Sequence, residues 1–289
     1  MRTELYPFTS RWFQQGSLKQ HYLDEGQGKP VVMVHGNPSW SFYYRELVRD
    51  LRSDHRAIAV DHIGCGYSDK PGDDEYEYSL QRRVDDLGRL IESLELDQKI
   101  TLVVHDWGGM IGMGWAVDHP EMIERLVILN TAAFHLPPTK KMPWQLSLGR
   151  DSKLGALLVR GFNAFSYGAT YLAVKKPMTA EIRAAYTEPY DSWDHRIATL
   201  RFVQDIPLRS GDRGYDLISR TAEKLKVFTD TPTLIAWGLK DFVFDHKFLD
   251  EWKNYLPKAE IHEYPDAGHY VLEDEKDRIV PLVRAFIDR

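Results

Sequence analysis

Cysteine is nearly absent from this chain. Cys65 stands alone, so no internal disulfide framework can form, and a cytosolic setting is the simplest expectation. No apolar stretch approaches the roughly 18 residues that a membrane span needs. The start, Met1-Arg2-Thr3-Glu4-Leu5, has no basic segment leading into an apolar one, so neither a signal peptide nor a transmembrane segment is expected. Positive charge is in deficit as well: 37 Lys and Arg face 43 Asp and Glu, a net of -6. That balance gives no electrostatic ground for binding nucleic acid, whose affinity rests on neutralised phosphates. Gly-x-Gly-x-x-Gly, a cysteine pair and a helical His-x-x-x-His are all missing, so no metal or organic cofactor is expected. Repeats and low-complexity tracts are missing too.

What is present suffices for a large core, since 43% of the 289 residues are apolar. That length allows two average domains or one large domain with an insertion, and the pattern favours the second. Residues 8–24 alternate loosely, as an antiparallel pair of strands does. The period then changes. Val31-Val32-Met33-Val34 is an unbroken apolar run suited to a strand buried on both faces of a parallel sheet. Residues 42–52 read as helix, 57–61 as strand, and 79–95 as an amphipathic helix with apolar positions at Leu80, Val84, Leu87, Leu90, Ile91 and Leu94. Residues 100–104, 126–129 and 233–236 are further buried strands, with a helix resuming at 108–117. Strands alternating with helices imply an α/β fold with a mostly parallel sheet and helices on both faces.

Between about 135 and 225 the alternation disappears, leaving helical stretches rich in aromatics and prolines. The expected division is an α/β core at 1–134 and 226–289, with a helical cap at 135–225 inserted into it.

In open α/β sheets, ligands sit beyond the carboxyl ends of the strands. The residues there are His35-Gly36-Asn37-Pro38, His105-Asp106-Trp107-Gly108-Gly109, Trp237-Gly238-Leu239-Lys240-Asp241 and Asp266-Ala267-Gly268-His269. Nucleophile, acid and histidine in that chain order match the α/β-hydrolase arrangement, in which a tight strand-to-helix turn presents the nucleophile. Here that position holds Asp106, where serine is usual. A carboxylate is already ionised near neutral pH and can displace a leaving group from saturated carbon, giving an alkyl ester of Asp106. His269 would activate a water against that ester, and Asp241 would hold the imidazole. The backbone N–H groups of Asn37 and Trp107 would form the oxyanion hole. The Trp107 indole N–H and the Asn37 amide are neutral donors suited to a departing anion, a halide or a carboxylate.

Each residue also has a plainer reading. Asp106 alone could be a helix N-cap, Trp107 core packing and Asn37 a turn residue before Pro38. Asp245 and Asp266 rival Asp241. Asp61 and Asp69 are expected to shape their loop, His105 to orient the turn, and Cys65 to take no part. The cap aromatics, Trp144, Phe162, Phe165, Tyr167, Tyr171, Tyr186 and Trp193, either line an apolar channel or pack the cap.

Through His35-Gly36-Asn37-Pro38, the run from Asp61 to Pro71, His105-Asp106-Trp107-Gly108-Gly109 and Gly268-His269, the chain resembles the haloalkane dehalogenase family. The resemblance implies Asp106 as nucleophile, His269 as base, and Asn37 with Trp107 as the halide-stabilising pair. One branch of that family places its acid after the strand ending near 129, where this chain has Asn130. A second draws its other halide donor from a cap tryptophan. Asp241 together with Asn37 resembles the third subfamily, and within it the β-lactone decarboxylases of bacterial long-chain olefin biosynthesis. That likeness extends into the cap through Asn130 to Phe134, Met142 to Gln145 and Phe202 to Leu208.

For such an enzyme, Asp106 attacks the β-carbon of a long-chain lactone, the ring carboxylate replaces halide, and loss of carbon dioxide yields a cis-alkene. The same likeness implies association with other enzymes of that pathway. Hydrolytic dehalogenation is the alternative. An epoxide hydrolase would need proton donors, for which Tyr167, Tyr171, Tyr186 and Tyr190 are candidates. A binding module on a silent hydrolase fold is the remaining class, and the complete triad weighs against it.

Overall fold

The computed structural model describes residues 2–289. Eight strands form one sheet: β1 Ser10–Gln15, β2 Leu18–Glu25, β3 Pro30–Val34, β4 Arg56–Val60, β5 Ile100–Asp106, β6 Ile123–Thr131, β7 Thr233–Gly238 and β8 Glu260–Tyr264. Their order is β1-β2-β4-β3-β5-β6-β7-β8. The first two make an antiparallel hairpin whose two-residue loop starts at Gly16, with the positive φ of 62° that such loops demand. β2 is antiparallel to β4, and every pairing after that is parallel.

The unbroken apolar runs form strands buried on both faces because alternate residues feed two separate cores. Val31 and Met33 join Leu47, Val48, Ile279 and Val283, under the helices Arg45–Leu51 and Val271–Ile287. Val32 and Val34 join Leu87, Ile111 and Leu249, under the helices Leu80–Ser93, Trp107–Ala116 and His246–Tyr255. The helix expected at 79–95 starts where Ser79 accepts a hydrogen bond from the Arg82 N–H, an N-cap visible in the sequence. The helix His246–Tyr255 had no counterpart in the sequence reading. Its apolar residues Phe248, Leu249 and Trp252 are few and flanked by charge, and Asp245 caps its start.

Between β6 and β7 the described residues hold helices and no strand. The main ones are Trp144–Asp151, Lys153–Phe162, Ala164–Leu172, Ala180–Thr187, Ile197–Gln204 and Tyr215–Lys224. The last packs on the helix Trp107–Ala116, while the earlier ones contact mostly one another. Helix Ile197–Gln204 is the link downward: Phe202 meets Trp107 edge-on, with ring centroids 5.3 Å apart.

Candidate active site

β5 delivers Asp106 at its last residue, and the chain turns at once into the helix Trp107–Ala116. The turn is strained. Asp106 has φ 53° and ψ -127°, a conformation that non-glycine residues rarely adopt and that clusters at functional sites. Room for it comes from glycine, because a Cβ at Gly108 would lie 1.9 Å from the Val34 carbonyl oxygen. Asp106 occupies the N-cap position without capping: no side-chain cap bond forms. Its Oδ1 instead accepts the Asn37 backbone N–H at 2.6 Å, and its main-chain carbonyl accepts the Thr131 hydroxyl.

Asp106 Oδ2 faces His269 Nε2 at 3.4 Å. On the other side of the ring, Nδ1 lies 2.8 Å from Asp241 Oδ2. Asp241 is in turn held by the Val243 N–H at 2.7 Å and by the Asn130 amide at 3.0 Å. The two rival acids are occupied elsewhere. Asp245 caps its helix and pairs with Lys140, and Asp266 pairs with Lys240 at the surface. The sequence marks Asn130 as standing where one branch has its acid and as the start of the stretch to Phe134, with no positioning role. Here it also bonds both the N–H and the C=O of Gly238, so it fixes the β7 end that carries Asp241.

All three central side chains are buried, which strengthens their mutual electrostatics. Burial alone would raise the Asp106 pKa, but His269, His105 and the Asn37 N–H outweigh it and hold the carboxyl below its ordinary range. Burial pulls His269 down, yet the carboxylates of Asp241 and Asp106 overcome it and raise the imidazole to about 10. His105 donates its Nε2–H to the His269 carbonyl at 2.9 Å, and burial pushes its pKa down to about 3, so it is neutral. Burial pushes the Cys65 thiol up to about 12, far from the thiolate that reactive cysteines need. Asp61 accepts N–H bonds from Ser41 and Tyr67, and Asp69 one from Lys19, which makes both loop-shaping residues.

A cavity of about 300 Å³ opens beside Asp106 and His269. Asn37 and Trp107 line it, with Phe134, Leu158, Val159 and Phe244 among a wall that is mostly apolar. The Asn37 amide donates one hydrogen to the Thr199 carbonyl at 3.1 Å, which leaves the other free. The Trp107 indole N–H has no acceptor among the described residues, and the buried Arg83 guanidinium stands 5.8 Å from its ring.

Residues 29–276 match the family model described as alpha/beta hydrolase fold. The chain belongs to the α/β-hydrolase family. Among curated members, it is 56% identical to the cis-3-alkyl-4-alkyloxetan-2-one decarboxylase of Shewanella oneidensis over 99% of this chain and 91% of that one. The enzyme of the same name from Xanthomonas campestris is 51% identical, covering 98% and 97%. Haloalkane dehalogenase 2 of Mycobacterium tuberculosis is 31% identical over 97% and 95%. The crystal structure of haloalkane dehalogenase DatA from Agrobacterium tumefaciens C58 superposes with a TM-score of 0.87 at 24% identity, covering 97% of this chain and 96% of that one.

Within this α/β-hydrolase the tyrosines considered as epoxide proton donors do not reach the cavity. Tyr186 donates to Glu273 and Tyr190 to the Ser39 carbonyl, both buried away from it. Tyr167 and Tyr171 are exposed and lie 3.3 Å apart, hydroxyl to hydroxyl. Among the described residues that line the cavity, the one tyrosine is Tyr270. Of the aromatics between β6 and β7, Trp144 and Phe165 line it, whereas Phe162, Tyr186 and Trp193 do not.

Proposed function

We propose that this α/β-hydrolase decarboxylates a long-chain cis-β-lactone to a cis-alkene, with Asp106 as nucleophile in a triad with His269 and Asp241. The observation that carries the reading is an ionised, twice-held, buried carboxylate lining a mostly apolar cavity. Full-length identity above one half to two oxetanone decarboxylases supports it. With Oδ1 fixed by the Asn37 N–H, Oδ2 is the attacking atom. It forms a bond to the ring β-carbon as the carbon–oxygen bond of the ring breaks, and the electron pair leaves as a carboxylate on the neighbouring carbon. Asn37 and Trp107 donate to that carboxylate.

Backside attack leaves the new ester antiperiplanar to the carboxylate without any bond rotation. The carbon–carboxylate bond then supplies the electron pair of the alkene, carbon dioxide departs, and the pair of the ester bond returns to Asp106. A cis-lactone gives a cis-alkene by this route, and neither water nor a base is consumed. His269, as imidazolium, stabilises the returning Asp106 carboxylate. The helical insertion at 135–225, acting as a cap, excludes water that would divert the ester to a hydroxy acid.

Incubation with a long-chain cis-β-lactone tests this: alkene and carbon dioxide in equal amounts are expected. A hydroxy acid as the main product, or no turnover, would sink it. The neutral donors Asn37 and Trp107 also favour a second reading, hydrolytic dehalogenation, which halide release from bromoalkanes would reveal.

A further inference from the structure

The cavity does not end inside the protein. Trp144 and Leu172 line it and are at the same time 71% and 53% exposed, so they form its rim. The helix Lys153–Phe162, which packs on the helix that Trp144 opens, adds exposed apolar residues. Leu154, Leu157 and Phe162, spaced along one face of the helix Lys153–Phe162, are exposed, with Leu154 at 60% and Phe162 at 72%. Scattered single apolar residues on a surface mean little, but a contiguous group of large ones marks an interaction site.

Charge distinguishes the occupant. Residues 140–183, which carry this face, hold eight Lys and Arg against two Asp and Glu, a net of +6, whereas the remainder of the chain is net -12. Lys141, Lys153 and Lys175 are exposed and have no carboxylate partner among the described residues. Exposed Leu154, Leu157 and Phe162 on an amphipathic helix that opens with the unpaired Lys153, packed against the helix that exposed Trp144 opens, match a segment that lies in a bilayer interface and is drawn there by anionic headgroups.

We propose that the face formed by Trp144, Leu154, Leu157 and Phe162 docks on an anionic lipid surface, with Lys141, Lys153 and Lys175 on the headgroup phosphates. The rim at Trp144 and Leu172 then opens into the acyl layer, so that an apolar molecule passes between bilayer and cavity without crossing water. This surface is independent of which substrate the site converts.

Flotation of the full chain with vesicles tests it in the absence of substrate. Vesicles of equal parts phosphatidylcholine and phosphatidylglycerol should carry the protein up, and raised salt should release it. Vesicles of phosphatidylcholine alone should bind at least about tenfold more weakly. The variants L154E/F162E and K141E/K153E should each lose at least about tenfold in binding while keeping the circular dichroism and melting temperature of the parent. Equal binding to neutral and anionic vesicles overturns the proposal, as does indifference to both variants. Failure to float, together with a concentration-dependent dimer in sedimentation that L154E/F162E abolishes, overturns it in favour of a second copy as occupant.

Discussion

Asn130, near the end of β6, donates its amide to Asp241 just past β7 at 3.0 Å, while both its polar atoms also bond the backbone of Gly238. Asn130 thus acts on His269 through the carboxylate that it positions. Outer partners of this kind typically cost about 10- to 100-fold when removed. Asn130→Ala should lower kcat within that range, while Asp241→Asn, which removes the charge facing Nδ1, should cost about 10³- to 10⁴-fold. Steady-state kinetics on both variants decide the order. An Asn130→Ala loss as large as that of Asp241→Asn would place Asn130 in direct contact with the reaction.

The two possible chemistries separate at His269. Hydrolysis of an alkyl ester needs a neutral imidazole to activate water, and esterification of Asp106 removes one of the two carboxylates that keep His269 protonated. Decarboxylation needs no water. With His269→Gln, a bromoalkane should therefore leave a stable alkyl adduct on Asp106, visible by intact-protein mass, and hydrolysis should fall by about 10²- to 10⁴-fold. With a β-lactone, the same variant should turn over slowly to alkene without a lasting adduct. A persistent lactone adduct that water alone releases would show that the base takes part in both reactions.

Stability should report the same histidine. The unfolded chain titrates it near 6.5, and the folded chain raises it to about 10, so the stabilisation is complete below about pH 6.5 and fades as pH climbs toward 10. Melting temperatures of the parent should drop toward those of His269→Gln across that window. Reading the difference between the two proteins cancels the lysines and tyrosines that also titrate there. A difference that does not change with pH would contradict the raised value.

Much of the sheet was legible because its strands are short apolar runs ending in polar, glycine-bearing turns. Val31 to Val34 and Ile100 to Val104 alternate between two cores, and no other local structure accommodates such runs so economically. The residues that meet in the cavity were legible for a related reason: they follow strand ends, and a parallel sheet collects strand ends on one edge. What stayed hidden depends on partners distant in sequence. Nothing local shows that Asn130 reaches Asp241, or that Tyr186 and Tyr190 spend their hydroxyls on Glu273 and Ser39. Asp245 looked like a rival acid because a helix N-cap and a catalytic carboxylate occupy similar loop positions.

Gly36 precedes Asn37, and a Cβ added to it would lie 2.0 Å from Asp106 Oδ1. Gly36→Ala should therefore push the carboxylate off the Asn37 N–H while leaving the sheet in place. A displacement near 1 Å costs about 100-fold in rate, and kcat should bear most of the loss because the cavity wall that binds the substrate is unchanged. A loss confined to KM would show that Gly36 serves binding and not the placement of Asp106.

Asp274 fastens the segment after the helix Ala164–Leu172 to the loop that carries His269. Its carboxylate accepts the N–H groups of Lys175 and Lys176 from one side and of Gly268 from the other, and Tyr270 adds a bond from its N–H to the Ala173 carbonyl. Asp274→Ala leaves three donors without their shared acceptor in a buried place, at about 1 kcal/mol or more for each. For a chain of this size, about 3 kcal/mol corresponds to roughly 5–10 °C in melting temperature. Asp274→Asn retains one acceptor oxygen and should lose about half as much. Activity should fall with both variants in the same order, because the Gly268 that Asp274 holds immediately precedes His269, whose Nε2 faces Asp106. A stability loss with unchanged kcat in Asp274→Asn would mean that the fastening holds the Lys175–Lys176 segment without positioning the histidine.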